Sequence, residues 1–311
     1  MLSIDQLTEE RLLANPATAG RNRSYPHVCD HWNHRPGRRH RGPHSAPAGK
    51  NVRAVVRDAS RGGEWLRQGC ELALADMRDA AALTRAFKGA EAVFVLLPPN
   101  FDPSPDFLES RYIVSTLRSA LETAQPAKVV CLSTIGAQAS QSNLLRQLSD
   151  MEQQLGQLPM PVAFLRAGWF MENSLWDIAP ARDEGVLHSF LQPLDKAVPM
   201  VATADVGRTA AMLLQESWQG VRIVELEGPR RVTPQHLAAT LGRLLGRDVQ
   251  ARSVPRDTWE QLFRSQGMHN PLPRMQMLDG FNQGWIDFAG TAIHGTTELE
   301  TVLADLIQRQ S

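Results

Sequence analysis

Five of the nine histidines, His27, His31, His34, His40 and His44, crowd into residues 27–44 together with Cys29, Arg35, Arg38, Arg39 and Arg41. Imidazoles and a thiolate can ligate transition metals, and guanidinium groups can hold phosphates. The spacing of His27, Cys29, His31 and His34 matches no structural zinc pattern, and a single cysteine is too few for one. We expect no metal site there beyond adventitious Zn or Ni binding. The basic run RPGRRHR is short and has no interleaved aromatic residues, which argues against a nucleic-acid surface. A second set of chemically capable residues is more orderly. Arg57, Asp76, residues 97–100, 133–136 and 167–173 each directly follow an apolar run, so their chemistry depends on what those runs are.

The runs read as alternating strands and helices. Val52, Ala54 and Val56 alternate on one face of a short strand. A strand is expected over 71–75, stopped by Asp76. A fully apolar one over 92–97 is ended by Pro98 and Pro99, which cannot continue a ladder. AKVVCLSTIGA and PVAFLRAGWFMEN supply two more. Between them lie helical patterns, one with a stripe at Phe107, Tyr112, Ile113, Leu117 and Leu121. Further on, Thr203 or Asp205 caps a helix, and Thr233 caps another with Pro234 at its first position. Strands apolar on both faces, alternating with amphipathic helices, predict an α/β fold with a doubly wound, mostly parallel Rossmann-type sheet. On such sheets ligands bind beyond the carboxyl ends of the strands. That is where the residues named above would stand. The expected organisation is an irregular segment over 1–49, a nucleotide-binding domain over 50–180, and a smaller α/β substrate-side lobe over 181–311.

Composition narrows the setting. Hydrophobic residues make up 42% and charged residues 21%, values of an ordinary globular protein. Lys plus Arg equals Asp plus Glu at 33 each, so bulk charge points to neither nucleic acid nor membrane. No apolar run approaches the ~20 residues needed to span a bilayer. The N-terminus carries Asp5, Glu9 and Glu10 and does not read as a secretory signal. Three scattered cysteines, Cys29, Cys70 and Cys131, make a reducing cytoplasm the expected compartment.

In order and spacing, VRAVVRD, VFVLLPP, VVCLSTIGA, FLRAGWFMEN, PMVATADVGR and ELEGP resemble the NmrA-like family of atypical short-chain dehydrogenases/reductases, from Asn51 to the C-terminus. The resemblance implies an NAD(P)-binding Rossmann protein. Some members reduce quinones or aldehydes with NADPH; others sense the dinucleotide without catalysis. The expected cofactor is NADP(H), with NAD(H) the alternative. Arg57 stands where an acidic residue would bond the ribose hydroxyls of NAD, and its guanidinium can fork onto the 2′-phosphate of NADP. Asp58 beside it keeps the NAD reading open. Asp76 with Met77 would contact the adenine. Leu97, Pro98 and Pro99 would wall the nicotinamide ribose, and Ser133, Thr134, Ala167 and Gly168 would complete the cofactor site. Trp169, Phe170 and Met171 would lie over a flat substrate, with Glu172 and Asn173 as polar anchors. Ser133 is the one catalytic expectation. Short-chain dehydrogenases usually draw a proton from a Tyr-x-x-x-Lys pair, and this chain has none: Tyr25 is followed by Cys29 and Tyr112 by Thr116. LRQLSDMEQQL, the helix that should carry the pair, contains Glu152, read here as a surface residue. Quinone reduction survives such a loss better than alcohol oxidation. The leading function is therefore an NADPH-dependent reductase of a quinone or small carbonyl. The alternative is a non-catalytic NADP(H) sensor with a regulatory protein partner. A second copy of the chain is a further expected partner; nucleic acid and membrane are not.

One absence remains: a glycine-rich turn should precede Lys50. Reading residues 27–38 one base forward, the codons permit M-Y-V-I-T-G-T-T-G-R-V-G, an apolar first strand followed by a T-G-x-x-G-x-x-G loop. Trp32 followed by Asn33 forces its first glycine. A compensating shift near residues 47–49 would restore the frame where the family pattern resumes. We read residues 27–44 as the glycine loop translated out of frame, which predicts impaired cofactor binding in the chain as encoded.

Overall fold

The structure, a computed structural model, describes residues 12–16 and 51–310. The histidine-rich stretch, with its metal, phosphate and glycine-loop readings, lies outside them. The strands are β1 Leu12–Pro16, β2 Arg53–Val56, β3 Glu71–Leu74, β4 Ala90–Leu96, β5 Lys128–Thr134, β6 Val162–Ala167, β7 Trp169–Phe170, β8 Val186–Ser189, β9 Met200–Val201, β10 Val221–Glu227, β11 Gln250–Ser253 and β12 Ile293–His294. The helices are α1 Gly63–Arg67, α2 Ala80–Phe87, α3 Leu108–Ala124, α4 Arg146–Leu155, α5 Ile178–Asp183, α6 Thr203–Gln215, α7 Pro234–Leu245, α8 Trp259–Ser265, α9 Leu272–Gln283 and α10 Leu299–Gln310.

Eight strands form one sheet in the order β12-β10-β6-β5-β4-β1-β2-β3. From β12 to β4 all neighbours are parallel, as are β2 and β3. The fold is the expected α/β, doubly wound type. Val52, Ala54 and Val56 pack on one face with Ala92, Phe94, Val130, Leu165 and helix α6, while Val55, Val93, Val95, Val129 and Cys131 pack on the other with α2, α3 and α4. The alternation read from the sequence is thus a division between two cores. Each fully sealed aliphatic side chain in them stabilises the fold by roughly 1.5–3 kcal/mol.

Inside the segment expected to be irregular, β1 pairs antiparallel with both β2 and β4. Two facing strand edges with unpaired N–H and C=O groups form a slot that any extended backbone can fill. Because β1 runs against its neighbours, its carboxyl end points to the opposite rim from theirs.

Two local expectations need correction. Tyr112 is exposed, because the buried stripe of α3 runs through Ile113, Val114, Leu117 and Leu121 one step around the helix. Neither Thr203 nor Asp205 caps α6; Asp205 instead accepts the backbone N–H groups of Thr296 and Thr297, tying the approach to α10 onto α6. Thr233 does cap α7, accepting from the His236 N–H at 2.9 Å, with Pro234 following it. Residues beyond α5 return two strands, β10 and β12, to the main sheet. Helix α6 packs on the face of that sheet, and α7–α10 build a third core around Trp259, Phe263, Leu278 and Phe281 with the small β8–β11 sheet alongside.

Candidate active site

β5, β6 and β10 are aligned so that Ser133 pairs with Arg166, and Arg166 with Glu225, in one row near the carboxyl rim of the sheet. Helix α4 adds a fourth member. Its Glu152 receives the Ser133 hydroxyl at 2.5 Å and a guanidinium fork from Arg166, at 2.9 Å to Oε1 and 2.7 Å to Oε2. Arg166 also donates to Gln138 at 3.1 Å and to Glu225 at 3.5 Å. The second carboxylate is itself held by the N–H groups of Ala289 at 3.0 Å and Gly290 at 2.8 Å. Burial opposes the charge on Arg166, but the Glu152 fork and the field of Glu225 outweigh it and hold the guanidinium above its ordinary value. Glu152 is therefore not the surface residue expected. It flanks the buried Met151 and Leu155 on α4 and meets the one charged side chain of an otherwise apolar strand. That lone Arg166 in VAFLRA was the signal: a buried guanidinium demands a carboxylate.

The expected cofactor positions line the same rim. Arg57 is exposed immediately after β2 and forms no hydrogen bond or ion pair among the described residues. Asp58 is engaged, accepting the Ser60 N–H at 2.8 Å in the turn that follows. Asp76 receives the Arg78 N–H at 2.8 Å and Met77 is buried beneath it. Leu97 is buried, and the Gln147 side chain donates to the Asn100 carbonyl at 3.0 Å, holding the Pro98–Pro99 turn from below. Thr134 is half-buried at the end of β5. Ala167 and Gly168 are buried at the end of β6, and a Cβ on Gly168 would meet the Pro199 carbonyl at 2.8 Å, so glycine is required by the crossing chain rather than by open space.

Of the GWFMEN loop, Trp169 is half-buried and stands edge-on to Phe281 of α9, with ring centroids 5.3 Å apart. Phe170 packs with the α6-side core and Met171 is sealed inside the third core, so only Trp169 presents an aromatic wall from this loop. Asn173 is exposed. Glu172 turns inward, accepting the Thr203 N–H at 2.9 Å and its hydroxyl at 2.5 Å; burial pushes its carboxyl up.

Sequence reasoning missed the clasp between the loop after β4 and the α8–α9 connection. Asp102 accepts the backbone N–H groups of His269 at 3.0 Å and Asn270 at 2.6 Å, and Leu144 donates to the Pro273 carbonyl at 2.9 Å. Helix α9 is thereby laid along the rim from the β4 loop to Trp169.

The rim is suited to one part of a dinucleotide and not to another. Arg57 can take a phosphate and the 97–100 and 167–169 turns can wall a ring. A glycine turn running from a central strand into a helix, which cradles a pyrophosphate, does not occur among the described residues, where β1 points the other way. No helix there is long and apolar enough to cross a membrane.

The NmrA-like family model matches residues 43–291. An NAD(P)H azoreductase of Xenophilus azovorans is 28% identical over 71% of this chain and 74% of its own length. Quinone oxidoreductase 2 of Escherichia coli K12 is 26% identical over 74% of this chain and 78% of its own. Among solved structures, the NADPH complex of an Escherichia coli NADPH-dependent quinone oxidoreductase superposes with a TM-score of 0.69 at 23% identity, covering 82% of this chain and 90% of that one. The Citrobacter sp. triphenylmethane reductase gives 0.67 at 17% identity, with the same coverage. The matched region begins only at residue 43, inside the histidine- and arginine-rich stretch, and takes in β2–β11, both cores of the sheet and the Ser133–Arg166–Glu225 row. The chain belongs to the NmrA-like family of NAD(P)-binding Rossmann oxidoreductases.

Proposed function

We propose that the protein is an NADPH-dependent reductase of a quinone or other small carbonyl compound, whose cofactor affinity is weakened in the chain as encoded. The observation that carries the cofactor reading is the contrast between Arg57 and Asp58: the guanidinium is exposed and has no partner among the described residues, while the carboxylate that would favour NAD accepts the Ser60 N–H. NADPH, when bound, supplies the hydride. The chain's own part is to bind and orient. Leu97, Pro98, Pro99, Ala167 and Gly168 shape the rim, with Asp76 and Met77 at its far end, and the half-buried Trp169, braced by the buried Phe281, offers an apolar wall for a flat acceptor. The names of two relatives, an NAD(P)H azoreductase and a quinone oxidoreductase, support a reductase reading for a chain without Tyr-x-x-x-Lys.

The weakened affinity follows from the sequence at 27–38. In the sequence this stretch holds His31, Trp32 and Asn33 where the family pattern calls for a glycine-rich turn, and glycine is what permits backbone N–H groups to approach a pyrophosphate. The test is NADPH oxidation against a quinone panel, run on the chain as encoded and on a version with residues 27–49 re-encoded in the shifted frame. Re-encoding should raise NADPH affinity, melting temperature and turnover together. Tight NADPH binding by the re-encoded chain with no turnover of any acceptor would favour the dinucleotide-sensing reading, which the engaged Ser133 also supports. Micromolar NADPH binding by the chain as encoded would remove the out-of-frame account.

A further inference from the structure

A cavity of about 110 Å³ lies between the turn that follows β7, the start of α6 and helix α10. A single water needs about 10–15 Å³ on the same scale, so the space admits a small molecule. Glu172, in that turn, forms part of the wall. One of its carboxylate oxygens is held by the N–H and hydroxyl of Thr203 in the first turn of α6. The other, Oε2, is closed to solvent and meets no donor among the described residues. Burial opposes the charge, and the Thr203 bonds offset it only in part, so the carboxyl is held above its ordinary value. The terminal torsion of a glutamate is broad, and the free oxygen turns to an arriving donor at little cost.

The rest of the wall settles which donor fits. Asp305 and Arg309 stand one turn apart on α10 and pair at 2.9 Å. Val302 and Leu306, buried on the same helix, supply an apolar lining. Arg309 is the only cation in the wall, so two carboxylates, Glu172 and Asp305, face one guanidinium. Behind the wall, Asp205 and Arg208 of α6 pair with each other and add no net charge. An anion entering this space meets an excess of negative charge. A cation brings what Glu172 lacks, a donor and a counter-charge together.

We propose that this cavity binds a small organic cation, a short-chain primary alkylammonium, with the ammonium donating to the Glu172 and Asp305 carboxylates and the carbon chain lying against Val302 and Leu306. The site is separate from the rim: Trp169 meets Phe281 of α9, whereas Glu172 faces α6 and α10. Both residues belong to the GWFMEN loop, so an amine held here bears on the turn that presents Trp169. The site stands independently of the reductase reading.

The test is calorimetric titration of the full chain with n-butylammonium chloride and with 1-butanol, which has the same length and no charge. The wild type should bind the ammonium about tenfold to a hundredfold more tightly than the alcohol, as charge-assisted hydrogen bonds imply. Two variants locate the site. Glu172→Gln, which keeps the side-chain shape and an oxygen for Thr203, should lose most of that difference. Ala204→Leu, which fills the cavity from the start of α6, should lose both ligands and leave the melting temperature unchanged. Equal binding of the two ligands by the wild type, or binding of neither, overturns the proposal, and that comparison depends on no variant. Undiminished ammonium binding in either variant also overturns it and puts the amine elsewhere. Where Glu172→Gln melts below the wild type, Ala204→Leu decides, because it leaves the carboxyl and its Thr203 bonds in place.

Discussion

Ser133 and Glu152 are joined by a 2.5 Å hydrogen bond in which the serine hydroxyl donates to a carboxylate already forked by Arg166. The serine proton is thereby turned toward α4 and away from the rim. An enzyme built on this row has no side chain in it poised to protonate an alkoxide.

Because the chain has no Tyr-x-x-x-Lys pair, secondary-alcohol oxidation should be undetectable with either dinucleotide, while quinone reduction persists. Spectrophotometric assay of a panel of simple secondary alcohols checks this. Robust alcohol turnover that disappears in Ser133→Ala would show that the hydroxyl changes partner during the reaction and acts as a proton relay.

Replacing Glu152 by leucine strips the near-buried Arg166 of its closest counter-charge and leaves only the 3.5 Å contact with Glu225. Removal of one member of a buried pair typically costs about 3–5 kcal/mol. Urea denaturation should show a loss at the lower end of that range, since Glu225 remains. Adding Arg166→Met should recover part of it, because the stranded guanidinium is then gone and Glu225 keeps the Ala289 and Gly290 N–H groups. A loss under ~1 kcal/mol, the value of an exposed pair, would sink the account of this network.

Cofactor preference should reside in Arg57. In the re-encoded chain, NADPH should bind more tightly than NADH, and Arg57→Ala should abolish most of that difference while leaving NADH affinity unchanged. Equal affinities before mutation would mean that the 2′-phosphate is read elsewhere or not at all.

Asp177, where the turn after Met171 runs into α5, supplies a pH signature. Burial raises its carboxyl to about 7, and no partner offsets the desolvation. A carboxyl whose folded pKa lies above its unfolded value binds its proton more tightly in the native state. Its contribution is full at low pH and declines as pH rises from about 4 toward 7. Asp177→Asn, neutral throughout, should therefore gain stability relative to the wild type across that interval. Chemical denaturation at pH 4.5 and 7.5 measures the difference. A gap that stays constant, or narrows with rising pH, contradicts a buried protonated Asp177.

How much of this was legible beforehand differs by residue. The alternation of Val52, Ala54 and Val56, the proline stop after β4 and the Thr233–Pro234 cap are local physics. Steric fit, ring geometry and one hydrogen bond act within a few residues, so the amino-acid order settles them. Family membership was legible too, because strand ends and their turns recur in a fixed order from residue 51 onward, and the family match covers that region. What the chain order could not decide is which charge meets which. Arg166 and Glu152 are neighbours because α4 crosses back over β5 and β6, and Glu225 joins them because β10 enters beside β6 in that register. Arg274 has no charged partner among the described residues because the packing of α8 and α9 sends Asp279 to Arg256 and Glu260 to Arg264. Met171 is sealed in a core rather than laid over a ligand for the same reason. Pairing and burial of this kind depend on the distance between elements far apart in sequence, and only the tertiary structure sets that distance.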